Sequence, residues 1–207
     1  MIISAPIFEA YLKCPSKCWF LFFGKDGDAN IYSDFVRNKS NAYRAAGLER
    51  LMVKNQPSEC VVTPSVPVNI KTATWQLAVD FVAIKETLES RLHAVERMPS
   101  DCQGNPVKFI PIRFIFTNKL TKGDKLKLAF DALVLSEMLR IEVSHGKIIY
   151  GNGCTALKMK TSALTGEVRK LTGKIVKLIT SESPPGGGVR GESEYESTVK
   201  KLVRLIQ

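Results

Sequence analysis

The sequence has no apolar run long enough to cross a membrane. Its longest, Cys18–Phe23, is far shorter than the roughly 20 residues that a spanning helix needs. Met1–Phe8 carries no basic region, and Pro6 and Glu9 interrupt its apolar character, so we expect no secretory signal. These absences predict a cytoplasmic protein without membrane contacts.

The cysteines are too widely spaced to form a closed four-ligand metal set. In a reducing compartment the five are expected to be free thiols or metal ligands, because disulfides are rare there. The single close pair is Cys14 and Cys18, and such a pair more often consists of two half-buried thiols than of a metal site. The five are Cys14, Cys18, Cys60, Cys102 and Cys154.

Acidic residues are also in short supply. The chain has 207 residues, with 30 Lys and Arg against 20 Asp and Glu, which leaves a net charge of +10 and a pI near 9.4. A surplus of this size favours polyanionic partners, of which nucleic acid is the usual one. No motif for reading bases is visible, so we expect any binding to be independent of base sequence and to weaken as the salt concentration rises.

Helical and extended segments follow one another in an order typical of an α/β protein. Ser4 caps a helix that runs to about Lys13, a longer helix runs from Ser33 to Lys54, and Thr121 caps a helix to Leu139. A last clear amphipathic helix spans 163–180. The expected strands are 60–62, 66–70, 75–84, 91–97, 107–116, 147–150 and 155–160, with a polar turn at 85–90. This order predicts a mixed β-sheet flanked by helices.

Six segments, taken in order, form a further pattern. They are Tyr11-Leu-Lys-Cys14-Pro15, Ala78-Val-Asp80-Phe-Val, Phe109-Ile-Pro-Ile-Arg113-Phe-Ile115, the helix from Asp124 to Leu139, Gly146-Lys-Ile-Ile-Tyr150-Gly151, and Pro184-Pro185. Together they resemble the RecB-like nucleases of the PD-(D/E)XK superfamily, particularly the CRISPR-associated ones and a group of uncharacterised RecB-like relatives. The resemblance covers residues 7 to about 202 and implies a restriction-endonuclease-like fold.

The resemblance also implies a metal site, most of which this chain lacks. In the family, two carboxylates on neighbouring strands hold Mg²⁺ or Mn²⁺, and a lysine steadies the attacking water. Asp80 matches the first carboxylate, but Arg113 stands at the second and Ile115 at the lysine. Lys127 stands where the family often has glutamine, and residues 33–54 contain no counterpart of the family's histidine. The chain is therefore expected to be catalytically impaired.

The family's iron-sulfur site is likewise incomplete in this chain. Cys14 matches its first ligand, whereas Arg190, Ser193 and Val199 stand where the other three thiolates belong. These residues cannot ligate a cluster, so we expect no iron-sulfur cofactor and a vestigial, buried Cys14.

Glu96 is the candidate second carboxylate of a relocated metal site. If the hairpin between the predicted strands is centred near Leu88, Glu96 lies directly opposite Asp80, with Cβ atoms about 5 Å apart. The two carboxylates could then share Mg²⁺ or Mn²⁺ in an active DNA exonuclease. The alternative, which we favour, is that they flank a structural base such as Arg113 in a buried ionic cluster.

A basic surface is expected along the cleft. Arg113 and Lys127 would make it positive enough to bind phosphate without metal. Residues expected to extend this DNA-binding surface are Lys158, Lys160, Lys170, Lys174 and Lys177. The alternative for the helical lysines is a merely solvated helix face.

The organisation that follows is a nuclease-fold domain over 1–180, a Pro/Gly linker over 181–191 and a C-terminal helix over 192–207. The expected function is binding of nucleic acid, DNA in the first place, without cleavage. Two alternatives stay open: an active metal-dependent nuclease using Asp80 and Glu96, and a structural domain whose last helix docks on a protein partner. A decayed reading frame is a further alternative.

Overall fold

The computed structural model describes residues 1–24, 31–62, 74–98, 107–181 and 185. Five helices lie in these ranges: α1 (Ala5–Lys13), α2 (Pro15–Phe22), α3 (Ile31–Val53), α4 (Lys122–Leu139) and α5 (Thr165–Ile179). The strands are β1 (Ile3–Ser4), β2 (Cys60–Val62), β3 (Leu77–Lys85), β4 (Leu88–Met98), β5 (Lys108–Ile115), β6 (His145–Tyr150) and β7 (Thr155–Lys160). None of the helices in the described ranges is long and apolar enough to span a membrane.

The strands form one mixed sheet in the order β2-β3-β4-β5-β6-β7, and β1 pairs with the start of β4. Pairing is antiparallel for β3–β4, β4–β5 and β6–β7, and parallel for β2–β3 and β5–β6. The parallel pair β5–β6 is joined through α4, as parallel strands require. The predicted α/β class, with a mixed sheet between helices, is confirmed and is consistent with a restriction-endonuclease-like architecture.

Local sequence explains where the helices begin. Pro15 ends α1 and starts α2, since proline lacks the N–H that would continue the first helix but fits a first turn. Thr121 and Asp124 form a reciprocal capping box at the start of α4, with the Asp124 N–H donating to the Thr121 hydroxyl at 3.1 Å. Ser4 and Thr121 occupy the predicted N-cap positions, although the Thr121 side chain makes a capping hydrogen bond and that of Ser4 does not. The predicted start at Ser33 is wrong, because α3 already includes Ile31.

Two apolar cores cover the two faces of the sheet. The larger one packs α1, α4 and α5 against sheet residues such as Ala78, Phe81 and Val95. The smaller one packs α3 against Leu77, Val79, Ala94, Ile112 and Phe114. The alternation of Leu77, Ala78 and Val79 between these cores fixes which face each strand residue occupies. We call them the α4 face and the α3 face.

Several expected segments lie outside the described residues. These are the strand at 66–70 and the C-terminal helix at 192–207 with most of its linker. Within the described ranges, the predicted turn at 85–90 is wrong. The turn consists of Glu86 and Thr87 alone, and Leu88 is already paired with Lys85.

Candidate functional site

Asp80 lies where the regular pairing between β3 and β4 is interrupted. Val79 pairs with Ala94 and Phe81 with Leu92, which leaves Asp80 opposite His93 without regular pairing. The backbone of Asp80 has a φ of 51°, a left-handed conformation that costs energy for a residue other than glycine. Its side chain lies on the α3 face, where its Oδ1 accepts a hydrogen bond of 2.8 Å from Arg44 Nη2.

The predicted pairing of Asp80 with Glu96 is wrong. Because the hairpin loop has two residues rather than six, Glu96 lies opposite Leu77, and Asp80 lies opposite the residue three positions before Glu96. Both carboxylate oxygens of Glu96 instead accept bonds of 2.7 Å from Lys147 Nζ. Among the described residues, no three His, Cys, Asp or Glu side chains are grouped so that they could hold a metal ion. The residues present at Asp80 and Glu96 do not fit a shared metal.

Arg113 lies on the α4 face, away from Asp80. Its Nε donates to Asp131 Oδ2 at 2.8 Å and its Nη2 to Asp131 Oδ1 at 2.7 Å, a bidentate pair between β5 and α4. Ser90 donates a third bond to the same carboxylate. The side chains are only 10% and 1% exposed. Burial opposes the guanidinium charge, but Asp131 outweighs it and raises the pKa of Arg113.

The expected buried ionic cluster therefore exists with a different partner. We expected Asp80 and Glu96 to flank Arg113, whereas the acid that neutralises it is Asp131 of α4. Asp80 and Arg113 project from opposite faces of the sheet, since one contacts α3 and the other α4. Even a carboxylate at position 113 would not share a metal with Asp80 in this arrangement, because both ligands must reach one ion.

Lys127 is also paired, in a second ionic group at the junction of α1 and α4. Its Nζ lies 2.9 Å from Asp124 Oδ1 and 3.7 Å from Glu9 Oε1. Burial opposes ionisation of Glu9, but Lys127, Lys13 and Arg113 together lower the pKa of that carboxyl. The donors of Arg113 and Lys127 thus already have acidic partners, so a phosphate binding at either one must compete with a carboxylate.

His93, the β4 residue opposite Asp80, contacts β5 through its imidazole ring. Its Nδ1 accepts the backbone N–H of Phe114 at 3.1 Å, and its ring stacks on that of Phe114. Burial, followed by the charges of Arg113, Arg44 and Lys127, holds the pKa of His93 well below its usual value.

This environment predicts a loss of stability in mild acid. The unfolded chain protonates His93 near pH 6.5, whereas the folded protein does so only at lower pH, so the free energy of unfolding falls as pH drops below about 6.5. His93→Gln should flatten that slope between about pH 5 and 6.5, measured by urea unfolding at several pH values. His145→Gln, at an exposed position, is the control. Equal slopes in wild type and His93→Gln would contradict the prediction.

The lysines expected to form one surface lie on two. Lys158 and Lys160 of β7 are directly opposite Lys147 and His145, and directly opposed residues share a face. Since Lys147 binds Glu96 on the α3 face, the strand lysines belong to that face. Lys170, Lys174 and Lys177 are exposed on α5, which packs on the α4 face through Val168, Ile175 and Ile179. The single extended surface is therefore a wrong prediction.

Cys14 is exposed, which corrects the expectation of a buried thiol. It caps α2, and the backbone N–H groups of Lys17 and Ser16 hold the pKa of its thiol below the ordinary value. Cys18 is the buried member of the pair, and burial raises its pKa to about 11. Arg190, Ser193 and Val199, which stand at the positions of the other three cluster ligands, lie outside the described residues.

The ionic partners of the candidate site residues were not predicted. Arg44, Asp131 and Lys147 each neutralise one of the candidate residues Asp80, Arg113 and Glu96. A signal existed for Asp131, because it interrupts the apolar run Leu128–Leu135 at a buried helical position, where a charge needs a partner. No comparable signal marks Arg44 or Lys147.

No protein-family model matches the chain, and no curated protein is significantly similar to it. Among solved structures, the chain is similar to one titled "Crystal structure of SSO0001", with a TM-score of 0.48 and 12% sequence identity. The alignment covers 88% of this chain and 78% of that one.

Proposed function

We propose that this chain is a RecB-like nuclease homologue that binds nucleic acid, DNA in the first place, without sequence preference and without cutting it. The observation that carries the proposal is the buried Arg113–Asp131 pair. Arg113 stands at the position that the resemblance assigns to a metal-binding acid, and its charge is neutralised inside the protein by Asp131.

The order of the elements supports the relationship. The segments that carry the resemblance fall on β3, β5, α4 and β6, and α4 connects the parallel strands β5 and β6. The ionic contacts support the loss of cleavage. A divalent ion at this position would meet a guanidinium instead of a carboxylate, and Ile115 offers no donor to a water.

Positive charge without an internal partner supports binding. Lys170, Lys174 and Lys177 follow one another at helical spacing on exposed positions of α5. Within the described ranges, none of the three forms an ion pair. The nearby acids Glu167 and Glu137 are already paired with Lys122 and Arg169. Such lysines can contact phosphates of any sequence, releasing counterions as they do so.

Substitution of all three lysines by glutamine should weaken binding and its dependence on salt together. The slope of log K against log salt should fall by about 2.7 on duplex DNA and about 2 on a single strand, from about 0.9 and 0.7 per contact. The measurement is fluorescence anisotropy of labelled DNA over a range of salt concentrations.

The matched control removes the same charge elsewhere. Lys13, Lys85 and Lys122 are each engaged by a glutamate, so their replacement by glutamine lowers the net charge equally without removing unpaired cations. The control should retain most of the wild-type slope. Equal losses in both triple variants would mean that net charge alone, rather than the α5 lysines, attracts the DNA.

A further inference from the structure

The first turns of α3 expose an apolar surface that the fold does not use. Ile31, Tyr32 and Phe35 are 90%, 75% and 55% exposed, whereas the buried residues of this helix are Gly47 and Leu48 in its second half. Single exposed apolar residues are ordinary, but three within five residues form a patch of the kind that marks an interaction site.

A lysine without an acidic partner lies beside this patch. Arg37 pairs with Asp34 at 2.8 Å, whereas Lys39 forms no ion pair within the described ranges. Lys39 Nζ lies 5.6 Å from the centre of the Phe35 ring, and Tyr32, Phe35 and Lys39 share one side of the helix by their spacing. A second copy of this chain, with its own charge of +10, would be repelled here. A polyanion that carries aromatic groups would match both features.

We propose that Tyr32 and Phe35 form a stacking platform for the unpaired bases of single-stranded nucleic acid, with Lys39 contacting the adjacent phosphate. This inference rests on the proposed function and names its substrate class. Unpaired bases can leave their own stack and lie on an aromatic ring, and every base has such a face, so the contact tolerates any sequence. Bases inside a duplex are already stacked and do not reach these side chains. The protein therefore prefers a single strand over a duplex.

The test compares Phe35→Leu, Phe35→Trp and Ile31→Ala with wild type, using an oligothymidine strand and a duplex over a range of salt concentrations. Phe35→Leu keeps apolar bulk but removes the aromatic face, and should weaken single-strand binding roughly tenfold without changing the salt slope. Duplex binding should not change. Ile31→Ala removes exposed apolar surface without removing a ring, and should leave both affinities as they are.

Phe35→Trp supplies a direct signal. Trp19 and Trp75 are only 7% and 9% exposed, so a new tryptophan at position 35 would report contact with bases through quenching of its fluorescence. Quenching by the single strand but not by the duplex is expected.

Three results would overturn the inference. If wild type binds both DNA forms and Phe35→Leu binds like wild type, the platform is absent although the proposed function stands. If Ile31→Ala weakens single-strand binding as much as Phe35→Leu, the patch acts by general apolar contact, as a protein-docking surface would. If wild type binds neither form, the proposed function fails and the platform fails with it.

Discussion

Asp131→Ala should lower the free energy of unfolding by about 3–5 kcal/mol, because it leaves the guanidinium of Arg113 buried without its counter-charge. Arg113 loses both of its bonds to the carboxylate, and Ser90 loses its acceptor. The loss of stability comes mainly from leaving a charged guanidinium buried without a partner, rather than from the lost attraction. A buried ion pair stabilises a protein little more than apolar residues of the same size would. Urea unfolding followed by circular dichroism measures the change.

The double variant Arg113→Met/Asp131→Leu separates these two contributions. If the stranded charge is the cause, the double variant should recover most of the stability that Asp131→Ala loses. Arg169→Met, which breaks the exposed pair with Glu137, should cost less than about 1 kcal/mol. A double variant as unstable as Asp131→Ala would mean that the pair is specifically required by the packing of α4 on β5.

Gly47→Ala should destabilise the protein by about 1–3 kcal/mol or more, although alanine is normally the better helix former. A Cβ at position 47 would overlap Cε1 and Cδ1 of the Phe114 ring. Either the Phe114 ring or α3 must move, and His93 would lose its stacking partner. The same unfolding experiment measures the loss.

Gly173 provides the matched control. It also lies in a helix, α5, but a Cβ there would meet nothing within 4 Å. Gly173→Ala should therefore stabilise the protein by about 0.4–1 kcal/mol through helix propensity and the unfolded-state entropy. Opposite signs for the two substitutions are expected. A stabilising Gly47→Ala would show that α3 is not packed on Phe114 as described.

The elements could be predicted from the sequence, but the hairpin register could not. Periodicity and capping residues located the helices to within a few positions, because these signals are local. The β3–β4 loop is Glu86-Thr87, with a left-handed Glu86 (φ 53°) and without the Asn or Gly that usually marks a two-residue turn. The shift of three residues that resulted placed Glu96, instead of His93, opposite Asp80.

The face of the sheet on which the Asp80 side chain lies could not be predicted either. Regular alternation from Leu77 would place it beside Ala78 on the α4 face, the face of Arg113. Its left-handed backbone breaks that alternation, so Asp80 contacts α3 and Phe81 takes the α4 face. Single-residue irregularities of this kind depend on the packed structure and leave no trace in hydrophobic patterning.

Incubation of the purified full chain with single- and double-stranded DNA and Mg²⁺ or Mn²⁺ tests most directly whether this protein holds nucleic acid without breaking it. We predict DNA of lower electrophoretic mobility but unchanged length. Added salt should release it, and a chelator should have no effect. Shortened products that disappear with chelator and in Asp80→Ala would contradict the account, since they would require a working metal site built around that aspartate.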